Sequence, residues 1–85
     1  MKVTVRFFAS LKEQLGKDVE EIDVPAGVGT VAALRGHLMK RGGEWQIAFA
    51  EKKLVRAAVN QEMAQAAASI KAGDEVAFFP PVTGG

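Results

Sequence analysis

The chain has no cysteine, and its 85 residues include one histidine, His37, and one tryptophan, Trp45. Without thiols there is no structural disulfide, no thiolate-held iron–sulfur cluster and no cysteine nucleophile. One histidine cannot build a metal site unaided, and no serine or acid shares its helical face in triad spacing. At 100° per residue His37 falls about 90° off the Leu34/Leu38 stripe, so it reads as a structural residue flanking the core. No apolar run approaches the ~20 residues of a membrane span. The N-terminus lacks a signal-peptide pattern, which makes the cytoplasm the expected setting. Eleven Lys and Arg against ten Asp and Glu leave a net charge of +1. Nucleic acid binding requires a clustered basic face, so neither it nor a membrane is an expected partner. Lys40-Arg41 and Lys52-Lys53 read as solvated surface.

Catalytic motifs are equally scarce. There is no Gly-x-x-x-x-Gly-Lys-Ser/Thr loop, and Gly27-Val28-Gly29-Thr30 is too short for a nucleotide fingerprint and reads as a helix entry. Glu13, Asp18, Glu20, Glu21 and Asp23 are scattered, with no paired carboxylates. The body of the chain offers no group that would catalyse a reaction, and no bound cofactor or metal is expected.

What is present is regular patterning. Lys2 to Phe8 alternates, with Val3, Val5 and Phe7 on one face, which predicts a strand. Ser10-Leu11-Lys12-Glu13 matches a capping box, and Leu11 and Leu15 precede Gly16, which predicts a short helix. Val19, Ile22 and Val24 suggest a second strand ending at Pro25. Thr30 caps a longer helix through about Arg41, with Val31, Leu34 and Leu38 on one stripe and Gly42-Gly43 ending it. Trp45, Ala48 and Phe49 have helical spacing. Val55, Ala57 and Val59 alternate as a third strand, turning at Asn60-Gln61-Glu62. Segment 61–72 is weakly patterned, with Ile70 its only obvious anchor. Glu75 to Phe79 forms the last strand, with Val76 and Phe78 inward. Four strands around one main helix predict an α+β layer, a mixed sheet of the ubiquitin-like β-grasp kind with its first and last strands central and parallel. Residues 1–79 form this domain, and residues 80–85 a flexible extended tail.

The tail carries the strongest functional signal. Pro80 and Pro81 lack a backbone N–H, so a β ladder cannot easily run through them, and each biases its predecessor toward extended geometry. Six extended residues reach roughly 20 Å. Gly84 and Gly85 have no Cβ and can thread a slot too narrow for other residues. The carboxylate of Gly85 thus becomes a plausible reactive group. With no cysteine available, sulfur handled by this chain would have to ride there. At the root of the tail, Phe8 and Phe79 are expected to point away from the helix on adjacent strands, with Met63 positioned to join them. An exposed apolar cluster rimmed by Arg6, Lys12 and Arg56 marks a docking surface.

Phe78-Phe79-Pro80-Pro81-Val82-Thr83-Gly84-Gly85, preceded by Gly73-Asp74-Glu75-Val76, closely resembles the end of the molybdopterin synthase small subunit family (MoaD). Val3 to Ala9, Leu11, Gly16, Thr30-Val31, Leu34, Leu38 and Ala58-Val59-Asn60 fit the same family, while 61–72 matches it poorly. The resemblance implies a sulfur carrier. An adenylyltransferase of the ubiquitin-activating type (MoeB-like) would activate Gly85 with ATP and Mg²⁺, and a persulfide-derived sulfur would convert it to a thiocarboxylate. The large synthase subunit (MoaE-like) would accept the tail and build the molybdopterin dithiolene in a heterotetramer. Phe8, Met63, Phe79, Pro80, Pro81, Val82 and Thr83 would contact these partners. A thiamine-pathway sulfur carrier, a ubiquitin-like protein modifier and a purely structural binding module are the competing readings.

Overall fold

The computed structural model describes residues 1–81; Val82, Thr83, Gly84 and Gly85 lie outside the described residues. The alternation at the N-terminus becomes strand β1 (Lys2–Phe7), in which Val3, Val5 and Phe7 are buried while Lys2 and Arg6 are exposed. Helix α1 (Ala9–Leu15), β2 (Val19–Asp23), α2 (Val31–Met39), α3 (Gly43–Ala48), β3 (Arg56–Val59), β4 (Glu62–Ala64) and β5 (Glu75–Phe79) follow. The strands make a sheet in the order β2-β1-β5-β3-β4. β1 and β5 run parallel at its centre, and the other pairings are antiparallel. The expected β-grasp arrangement is what the chain adopts.

One face of the sheet carries the core. Val3, Val5, Phe7, Val76 and Phe78 meet Leu34 and Leu38 of α2 and Phe49 just after α3, all nearly inaccessible to solvent. Phe49 links the layers. Its ring lies edge-on to Phe78 at 5.1 Å and to Phe7 at 6.3 Å, and it stacks on Trp45. Such aromatic pairs add to the area they bury. The extra helical turn expected around Trp45 is α3, and it closes the core beside Phe7.

The start of α2 shows why segment 61–72 looked featureless. A helix leaves its first N–H groups without internal partners. Here Thr30 Oγ1 accepts from the Ala33 amide at 3.1 Å, as expected of a cap. The Val31 and Ala32 amides donate to the carbonyls of Ala68 and Ala66, at 3.0 and 2.9 Å. The weakly patterned segment therefore acts through its backbone, which needs no side-chain signature.

Two expectations fail locally. The capping box at Ser10 does not form: α1 starts two residues earlier, with Phe8 as its N-cap and no side-chain cap bond. The Phe8 carbonyl accepts the Leu11 and Lys12 amides instead, and Ala9 takes a left-handed φ of 53° to bring the chain round. The second miss is β4. Asn60 and Gln61, with φ of 51° and 70°, form a tight two-residue turn that returns Glu62–Ala64 against β3.

Candidate functional site

β5 is the strand that delivers the tail, and its position follows from its burial. Val76, Ala77 and Phe78 are buried, and β5 is paired with β1 on one side and β3 on the other. Phe79, opposite Arg56, is the last residue of that ladder. Pro80 and Pro81, both half-buried, follow without strand structure. The absence of two consecutive N–H groups is the physical reason the pairing ends there.

Phe8 reaches the same spot from β1. Its amide donates to the Phe78 carbonyl at 3.2 Å while its own carbonyl caps α1. Both backbone groups are thus engaged, and the ring is left 45% exposed. Phe8 and Phe79 together line a shallow depression of about 410 Å³ on the face of the sheet without helices, with Arg6, Ala58, Gln61, Glu75 and Ala77. The strand register explains its floor. Arg6, Ala77, Ala58 and Met63 stand side by side across four strands, and the two alanines leave room between larger neighbours. Met63, 65% exposed, lies on β4, two strands from β5. It therefore sits on the rim of the same face and not in the depression with the two phenylalanines.

The charges around this face are partly tied down. Arg6 Nε donates to Glu75 Oε1 at 2.8 Å, across the β1–β5 seam. Lys12 approaches Asp18 at 4.0 Å. Arg56 makes no ion pair among the described residues.

The entry to β5 is fixed by Asp74 and Asn60. Asp74 is buried, and its carboxylate accepts from Asn60 Nδ2 at 3.0 Å and from the Lys71 amide at 2.9 Å. The Asn60 bond, helped by the Lys71 amide and opposed by burial, holds the Asp74 carboxyl below its ordinary value. Asn60 Oδ1 accepts the Glu75 amide in return, and its own amide donates to the Glu75 carbonyl. The β3–β4 turn is thereby tied to the start of the tail-bearing strand. A buried acid directly after a glycine turn was the available signal.

A second groove, of about 530 Å³, runs between α2 and β3–β4 on the helical side. It brings together no nucleophile and base. Among the described residues, no group of three His, Asp or Glu side chains could hold a metal ion, and no helix is long and apolar enough to cross a membrane. His37 is half-buried on α2, away from the tail root. What the described residues offer is a shallow, partly apolar depression beside the strand that leads to Pro80 and Pro81.

Comparison with known proteins meets the same region. Residues 5–85 match the ThiS family. The molybdopterin synthase sulfur carrier subunit of Escherichia coli (strain K12) is 46% identical over 83 residues, spanning 98% of this chain and 99% of that protein. The molybdopterin synthase sulfur carrier subunit of Haemophilus influenzae is 41% identical over 83 residues, with the same coverage of 98% and 99%. Among solved structures, the small archaeal modifier protein 1 of Haloferax volcanii superimposes with a TM-score of 0.74 at 27% identity, covering 95% of this chain and 98% of that one. By sequence, coverage and architecture, this ubiquitin-like β-grasp chain belongs to the ThiS family, together with the molybdopterin synthase sulfur carrier subunits it matches over almost their whole length.

Proposed function

We propose that the chain is the sulfur carrier subunit of a molybdopterin synthase and that Gly85 bears the cargo. The observation that carries this reading is identity above 40% to two proteins of that name across almost the full length of each. The described geometry is consistent with it, because the residues before the tail are rigidly held while nothing in the body competes as a reactive group.

A carboxylate is anionic at neutral pH and a poor electrophile. An adenylyltransferase partner would join it to AMP from ATP, releasing pyrophosphate, with Mg²⁺ and nucleotide bound by that partner. A partner's persulfide then displaces AMP to form an acyl disulfide, and a second thiol of that partner reduces its S–S bond, leaving a thiocarboxylate on Gly85 and a disulfide on the partner. The large synthase subunit takes up the tail, with Gly84 and Gly85 fitting its narrowest part and Thr83, Val82, Pro81 and Pro80 lining the approach. The thiocarboxylate sulfur attacks the precursor, and water cleaves the resulting thioester, so that one sulfur of the dithiolene stays on the precursor and Gly85 returns as a carboxylate. Phe8 and Phe79 act as docking anchors, and Met63 extends the same face. Two small and two large subunits form the assembly, in the cytoplasm.

Intact-mass spectrometry of the chain co-expressed with its adenylyltransferase tests the assignment. The expected product has one oxygen replaced by sulfur, and removal of Gly84-Gly85 abolishes that change while leaving the melting temperature intact. An unchanged mass under sulfur-replete conditions overturns the proposal. Likeness to the archaeal modifier protein favours a second reading, conjugation of Gly85 to lysines. Ladders of higher-mass conjugates in place of the sulfur-loaded species would select it.

A further inference from the structure

One guanidinium holds the segment that leads into β3. Arg35 of α2 donates through Nε to the Phe49 carbonyl at 2.9 Å, and through Nη2 to the carbonyls of Ala50 at 2.7 Å and Lys53 at 2.8 Å. Lys53 also donates its amide to Ala50 at 2.8 Å. The backbone of this loop is therefore fixed, yet its side chains point to solvent. Glu51, Lys52, Lys53 and Leu54 are all exposed, and Leu54, at 78%, exceeds every other large hydrophobic residue described. A leucine in the open is ordinary on a mobile loop. On a loop held by three bonds from a half-buried arginine, its backbone ordering has already been met, which favours binding over fraying.

The register places this loop at the tail. Arg56 pairs with Phe79 in an antiparallel ladder, so the residues preceding Arg56 run back alongside Pro80 and Pro81. Phe8 lies on the β1 side of the exit, and Leu54 on the β3 side. A partner that encloses the tail must meet both. The local charge is mainly positive as well: Lys52, Lys53 and Arg56 enter no ion pair among the described residues and outnumber the one acid of the loop, Glu51, whereas Lys2, Arg6, Lys17 and Arg41 are all paired.

We infer that the Lys52–Leu54 loop, with Arg56, is a second anchor of the docking face and seats in an apolar pocket ringed by carboxylates on the large synthase subunit. The inference rests on the sulfur-carrier reading, and it selects the large subunit because a carrier subunit has a resident partner in its own enzyme. Leu54 supplies the buried contact, and the three cations supply attraction at encounter.

The test uses the full chain and the large synthase subunit of the same host, titrated by calorimetry at about 50 and about 300 mM salt, a range over which exposed charges become screened. Leu54→Ser weakens binding by roughly tenfold at both salts, as expected of an interface anchor. Lys52→Glu combined with Lys53→Glu weakens it by roughly tenfold at low salt and much less at high salt. Both variants keep the parental melting temperature, since these side chains are exposed and Lys52 and Lys53 enter no ion pair among the described residues. Affinities within about twofold of the parent for both variants overturn the loop assignment while leaving the carrier reading intact. A parent chain that neither binds the large subunit nor acquires sulfur overturns both.

Discussion

Acid should loosen this fold at an identifiable point. Arg41, just beyond α2, grips Glu20 of β2 with two parallel bonds, Nη1 to Oε1 at 2.9 Å and Nη2 to Oε2 at 2.7 Å. Lys17 Nζ stands 3.2 Å from the same carboxylate. The Arg41 bonds, with help from Lys17 and against partial burial, hold the Glu20 carboxyl down to about 2, where a free glutamate titrates near 4.5. The folded state thus binds this proton more weakly than the unfolded state does. Its stabilising contribution is complete above the unfolded value and is lost as pH falls from 4.5 towards 2. The full difference corresponds to about 3 kcal/mol. The Glu20 side chain is 21% exposed and Arg41 31%, so solvent screening reduces the figure to about 1–2 kcal/mol. Urea unfolding, followed through the single tryptophan, measures it directly. Trp45 is a suitable reporter because the Arg41 guanidinium lies 4.4 Å from its ring centre. Glu20→Gln should lie about 1–2 kcal/mol below the parent at pH 7 and converge on it as pH falls, with more than half of the gap gone by about pH 3. A gap that stays constant from pH 7 to pH 3 refutes charge pairing as its source.

Three other outcomes are expected. Phe8→Ala and Phe79→Ala each weaken binding to the large synthase subunit by about 1–3 kcal/mol with little loss of stability, measured by titration beside a thermal melt. Unfolding with unchanged affinity would assign them to the core instead. Asp74→Ala strands the Lys71 amide and the Asn60 amide group, and lowers unfolding free energy in urea by about 1–3 kcal/mol. Ala9→Gly relieves a left-handed backbone and raises stability by about 0.5–1 kcal/mol in the same assay, whereas a loss of that size would refute backbone strain at φ 53° as a cost to the fold.

The parts of the fold legible in the sequence are those whose signal is local. β1, the core of α2 and β5 announce themselves because one face of each is buried against a single layer, which forces period two or period 3.6 on the residues. Thr30 was readable as a cap because its partner, the Ala33 amide, is three residues away. The illegible parts depend on distant partners. β4 has three residues and exists because the Asn60-Gln61 turn returns it to β3. Segment 65–70 contributes backbone carbonyls to α2, an interaction open to any side chain. At α1 a good local pattern lost to a tertiary constraint: the chain leaves β1 with Phe8 still bonded to Phe78, so the helix must start from Phe8, and Ser10 is already inside it. The candidate site divides in the same way. The outward-facing Phe8 and Phe79 follow from strand alternation. The Arg35 grip on the Leu54 loop does not, because it links residues 14 to 18 positions apart through carbonyls alone.

The mechanical logic of a carrier explains why the tail should grow from β5 and not from an edge strand. β5 is held by four register pairs to β1 and four to β3, and its inward residues Val76 and Phe78 are almost inaccessible. Withdrawing it would break two ladders and open the core, so tension on the terminus is borne by the whole domain. Pro80 and Pro81, which have no backbone N–H to offer a ladder, follow Phe79 directly. Fixing an extended terminal segment in one conformation costs a partner about 1–2 kcal/mol for each residue, somewhat less at prolines. Glycines offer almost no contact area to offset it. The compensating contacts must come from side chains that are already rigid, and the fold supplies them at the exit: Phe8 held by its own capping carbonyl, Phe79 by the β3 ladder and Leu54 by Arg35. On the carrier reading, affinity would thus rest on the body.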